Sequence, residues 1–233
     1  MFIKSKWEAN DITLLENYLE SIKNEEKIEW TRNIINTKMP VLAIKLEKLR
    51  EIVKEMKKGE FYSFLDNMPT SSFEILTISG YLISEIKDFK IQKNYIKKYA
   101  LKCDNWSNCD TLSFKIKNNE GNYISLSKEL VKSKKTFVRR VGVDILFSLV
   151  KKDNYSDEIF NILDSLSNEE EYYVNMAIAW LLCEMFIKQR KKTIEYLNHN
   201  NLNKFAINKA ISKCRDSFRV SKTDKEMLLK YKK

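Results

Sequence analysis

Three stretches of the chain superpose on one another. TFVRRVGVDIL (136–146) lies over YYVNMAIAWLL (172–182) at an offset of 36, and NKAISKC (208–214) lies under NMAIAWL (175–181) at an offset of 33. Each copy is an apolar run with helical spacing, followed by a shorter amphipathic run. A helical hairpin that returns about every 35 residues cannot bury its apolar face alone, so neighbouring copies must stack and share a core. This constrains the fold to helices, in pairs, laid side by side.

The remaining sequence agrees. There are 4 Gly and 2 Pro in 233 residues, too few for the turns of a sheet protein. Leu14, Leu15, Tyr18, Leu19 and Ile22 give DITLLENYLESIK (11–23) helical spacing, with Asp11 placed to cap it. EKIEWTRNIIN (26–36) repeats the pattern more weakly. Pro40 can open a helix, VLAIKLEKLREIVKEMKK, that stops near Gly59. Helical patterns continue over 71–87, 93–102, 124–133, 135–152, 156–167, 170–188, 191–199 and 202–219, then through SKTDKEMLLKYKK. No linker rich in Pro, Gly or Ser divides them. The expectation is one all-α domain over 1–233, an α-solenoid or superhelix of HEAT-like hairpin repeats with a concave basic face. The HEAT period is longer, ~40–47 residues, and an irregular all-α bundle is the alternative.

The formal net charge is +10. A surface this basic attracts polyanions, nucleic acid first and an anionic membrane second. The opening MFIKSKWEAN lacks the apolar core of a secretory leader. No run approaches the ~20 apolar residues of a membrane span. Cys103, Cys109, Cys183 and Cys214 form no CxxC pair, and His199 is the one histidine. No metal and no cofactor are therefore expected. Reduced thiols in a cytoplasmic, nucleoid-associated protein are.

KCDNWSNCDTLS (102–113) sets Trp106 among polar neighbours and Asp110 one helical turn later on the same face. From Trp106 to Arg140 is 34 residues and from Arg140 to Trp180 is 40, each about one repeat. The four side chains are thus candidates for one cluster on neighbouring rungs. Simpler readings stand beside this. Trp180 fits a core position, Arg140 can pair with Asp144 at i+4, and Asp110 can cap a helix continuing through TLSFKIK. Three lysine-rich runs surround the cluster, at 87–98, 128–140 and 209–222. A lysine run is ordinarily a solvated face, but recurrence in successive hairpins suits a track for a phosphate backbone. Lys135, Arg139, Lys213 and Arg219 are its candidate contacts. No recognition-helix signature or zinc finger is present, so reading of base edges is not indicated.

NWSNCD, then FVRRVGVDIL, then YYVNMAIAWLLCE, in this order and spacing, resemble the AlkD-like DNA alkylation repair glycosylases, which are built of HEAT-like repeats. NKAISKCRDSFRVSKTDK is similar to the end of that family, in particular to a branch closing with a KxRESxRVS segment. MPVLAIKLEKLREIVKEM resembles the family's early Pro-containing helix. The resemblance covers most of the chain. It implies hydrolysis of the N-glycosidic bond of N3- or N7-alkylated purines in double-stranded DNA, by a monomer that grips sugar and backbone without burying a flipped base. Carried over, Asp110 is the catalytic carboxylate, Trp106 and Trp180 pack against the lesion's sugar and backbone, and Arg140 holds a phosphate. A carboxylate suits an oxocarbenium-like sugar, and a cationic purine leaves neutral without a general acid. The first hairpin is thinner than in active members. A non-catalytic DNA-binding member is therefore the alternative, and a protein-binding scaffold a third.

Overall fold

The computed structural model describes residues 1–233. Its regular elements are all helical, fourteen α-helices with short 3-10 turns between some of them. The chain falls into two compact units, Met1–Ser113 and Phe114–Lys233.

The first unit holds α1 (Ala9–Ser21), α2 (Ile28–Ile35), α3 (Leu46–Met56), α4 (Tyr62–Asn67), α5 (Phe73–Glu85), α6 (Phe89–Ala100) and α7 (Trp106–Thr111). Helix α5 is its centre and packs against α3, α4, α6 and α7. Its sequence FEILTISGYLISE has no polar stripe, and residues Phe73 to Gly80 are all buried. A helix without a polar face belongs inside a core. Ser72 caps it, its hydroxyl oxygen accepting from the Ile75 N–H at 3.2 Å.

Pro40 does not open a helix. Residues 40–45 run without helix, and α3 begins only at Leu46. The cause lies 34 residues beyond Pro40. Glu74 on α5 is wholly buried. Its carboxylate accepts from the Leu42 N–H at 3.0 Å and the Ile44 N–H at 3.3 Å. Ala43 between them sits at φ 54°, a left-handed conformation that no α-helix continues through. The segment is a strap clipped to α5 by a buried acid. Two smaller differences accompany it. YSFLDN forms the short helix α4, and TLSFKIK does not extend α7, because residues 112–119 carry no helix.

The second unit holds α8 (Glu120–Leu130), α9 (Thr136–Leu146), α10 (Ser156–Asp164), α11 (Tyr172–Lys188), α12 (Arg190–Leu197), α13 (Lys204–Asp216) and α14 (Lys222–Leu228). The three superposable stretches are α9, α11 and α13. They lie side by side, α11 packing on both neighbours, while α12 covers α11 and α10 covers α8. Val174, Ala177, Ile178, Ala179 and Leu181 are wholly shielded from solvent, so α11 is the spine of this unit. Helices α8 and α9 approach closely at Gly142, where a Cβ would come within 2.9 Å of Val131 Cγ1. The Ser127 hydroxyl donates to the Gly142 carbonyl at 2.7 Å across the same contact. All four cysteines are buried free thiols. No helix is long and apolar enough to cross a membrane.

Candidate functional site

Helix α7 has six residues, too few to hold its own shape in water. Its inner face is pinned instead. Asn105 caps it, Oδ1 accepting from the Asn108 N–H at 2.9 Å. Buried Asn108 donates through Nδ2 to Thr77 Oγ1 on α5 at 3.0 Å. The Tyr99 hydroxyl of α6 donates to the Asn108 carbonyl at 2.9 Å. Gly80 makes the approach feasible, since a Cβ there would lie 2.6 Å from the Tyr99 oxygen and 2.8 Å from Thr111 Cγ2.

The outer face of α7 is thereby fixed in an open cleft of about 660 Å³. Trp106, Ser107, Asp110 and Thr111 line it from α7, Arg50 and Lys54 from α3, Lys57 from just past the end of α3, and Tyr81, Ser84 and Glu85 from α5. Asp110 is inside the helix and is not its cap. The Trp106 indole N–H donates to the Ile34 carbonyl at the end of α2, at 3.2 Å. Its ring packs against Ile35, Val41 and Phe73. Val41 belongs to the strap held by Glu74, so that buried acid also supports the wall of the cleft. Burial pushes the Glu74 carboxyl above its ordinary value, against the pull of the backbone N–H donors.

The electrostatics of the cleft are mixed. Lys57 pairs with Glu85 at 2.7 Å. The Arg50 guanidinium lies 5.2 Å from the centroid of the Tyr81 ring, a cation–π arrangement. Burial raises the Tyr81 hydroxyl's pKa, and Arg50 opposes it. Trp106 and Asp110, expected together, are together. Arg50, Lys54, Lys57 and Tyr81 were missed: the spacing of Arg50, Lys54 and Lys57 puts these cations on one side of α3 and its end, but nothing in the sequence ties that side, or Tyr81, to Trp106 and Asp110.

The other candidates belong to the second unit. Trp180 is 41% exposed on α11, so it is no core residue, and its ring tilts against Phe147 at 4.8 Å. Arg140 is 4% exposed. It donates to the Tyr173 carbonyl at 2.6 Å and lies 3.5 Å from Asp144, the i+4 pairing. Arg139 grips Glu169 through Nε at 2.6 Å and Nη2 at 2.9 Å. Burial alone would raise the Glu169 carboxyl's pKa, but Arg139 and neighbouring backbone N–H groups bring it below the usual glutamate value. Arg219 binds Glu184 through both terminal nitrogens. Lys135 is exposed just ahead of α9, and Lys213 is partly exposed on α13.

A family described as DNA alkylation repair enzyme matches residues 15–214. The match takes in both units and every residue lining the cleft. The chain belongs to this DNA alkylation repair family, and DNA is the partner that membership implies. No curated protein matches it.

Proposed function

We propose that the protein is a DNA glycosylase that hydrolyses the N-glycosidic bond of N3- or N7-alkylated purines in duplex DNA, with Asp110 as its catalytic carboxylate. One observation carries the reading. Trp106 and Asp110 stand one turn apart on a helix pinned to α5 and α6 through Asn108, and both line a cleft edged with cations. An open cleft suits a grip on sugar and backbone better than enclosure of a flipped base.

The chemistry asks little of the protein. The alkylated purine is already cationic, so the C1′–N bond breaks with its electrons passing to the base, which leaves neutral. Positive charge moves to the sugar. A fixed carboxylate stabilises it by about 3 kcal/mol, the scale of one oriented electrostatic group in a site. Water then adds to C1′ and gives up a proton to Asp110 or to solvent. The Trp106 ring excludes water and turns its negative face towards the developing cation. Trp180 is the second aromatic contact. Lys135 and Lys213 supply phosphate contacts, and Arg139 and Arg219 share theirs with Glu169 and Glu184. Arg140 holds a phosphate only through a guanidinium already bonded to Tyr173 and Asp144. The protein acts as a monomer on nucleoid DNA in the cytoplasm.

Incubation with methylated duplex DNA tests this. Wild type releases 7-methylguanine or 3-methyladenine, and Asp110→Asn releases it more than about a hundredfold more slowly. A second reading, a DNA binder without base excision, is favoured by the thin first hairpin. Helix α2 has 8 residues, and a strap replaces the early Pro-containing helix. Salt-sensitive duplex binding without base release would select it.

A further inference from the structure

Most arginines of this molecule already hold a carboxylate. Arg32, Arg139, Arg140, Arg190 and Arg219 each form an ion pair. Arg50 forms none. It is exposed and lines the cleft, and its partner there is the Tyr81 ring at 5.2 Å. A guanidinium held over an aromatic ring still carries several N–H donors in a planar fork, the geometry that matches a phosphate. Lys54, one turn along α3 and also exposed, forms no ion pair and lines the same cleft.

An uncompensated cation is out of place beside a carboxylate that must stabilise a cationic sugar, because it opposes the charge that develops. An anion lying on the cation removes the conflict. In duplex DNA the anion next to a lesion's sugar is its own phosphate. We propose that Arg50, braced on Tyr81, grips the phosphate adjoining the nucleotide whose sugar faces Asp110, with Lys54 extending the contact along the strand. This rests on the glycosylase reading for the placement of the sugar, but the phosphate contact can be measured without catalysis.

The experiment measures duplex affinity over a series of salt concentrations for wild type, Arg50→Gln, Arg50→Lys and Tyr81→Leu, alongside base release. The duplex carries a stable abasic-site analogue for binding and 7-methylguanine for turnover. Arg50→Gln weakens binding about tenfold and makes the log–log salt slope shallower by about one. Arg50→Lys restores the slope but not the affinity, since an ammonium lacks the planar fork. Tyr81→Leu lowers affinity less and leaves the slope unchanged. Equal melting temperatures separate these effects from unfolding. An Arg50→Gln protein with the wild-type slope and affinity overturns the clamp and leaves the glycosylase reading standing. Wild type that binds, shows the Arg50 dependence and releases no base overturns the chemistry and keeps the clamp. Wild type that ignores DNA overturns both.

Discussion

The two units spend their residues differently. In the second, α9, α11 and α13 repeat one another, and four of its five arginines, Arg139, Arg140, Arg190 and Arg219, are each neutralised by a carboxylate, with Arg215 the exception. In the first, the row α3, α5, α7 includes a six-residue helix, a strap stands where a helix was expected, and an arginine without an ion pair lines a cleft. Repetition is an efficient way to stack helices, because each rung presents the next with the same apolar face. A cleft needs the repetition to fail. One rung must be short and held by buried polar groups, so that its outer side chains stand clear of the packing.

The contrast yields predictions, ordered by expected effect. Ile178→Ala, in the spine of the second unit, should cost about 4 kcal/mol of stability while leaving turnover per folded molecule intact. Thermal unfolding and a folded-fraction-corrected release assay check it. Asp110→Asn should do the opposite, lowering base release by about 3 kcal/mol, more than a hundredfold, with no change in melting. If Ile178→Ala abolished turnover per folded molecule, the division of labour would be wrong. Glu74→Ala should affect both. Leaving the Leu42 and Ile44 N–H groups buried without their acceptor costs about 2 kcal/mol, and the loosened strap should also weaken substrate binding, seen as a raised KM. The smallest effect is on pH. Glu169 has a folded pKa below its ordinary 4.5, so its pairing stabilises the protein above that pH. The contribution is lost as pH falls through the folded value. Glu169→Gln should flatten the stability profile in that acid window, measured by denaturant unfolding at several pH values.

The readable and unreadable parts of this chain divide along the same line. The second unit was legible because its information is periodic. An offset of 36 and then 33 placed α9, α11 and α13, and side-by-side packing followed. Trp106 and Asp110 were legible because a large ring in a polar run lacks a core to explain it, and i,i+4 spacing puts the pair on one face. Pro40 misled because proline opens many helices, while the residue that overrides it, Glu74, is 34 positions away and resembles any other helix-start glutamate. Arg50 and Tyr81 lie on different helices, and nothing local marks them as partners. Trp180 and Arg140 reversed their simplest readings only in part: the tryptophan is exposed rather than core, and the arginine does hold its i+4 aspartate.

The sequence by itself determined that this chain is helical, that its later helices repeat, and that one indole and one carboxylate share a helix face. These are consequences of spacing along a single chain, which the 3.6-residue turn converts directly into geometry. Only the tertiary structure decided which cations join them. Whether an arginine is neutralised, stacked or left facing a cleft depends on side chains brought within a few ångströms by packing, and no periodicity encodes that.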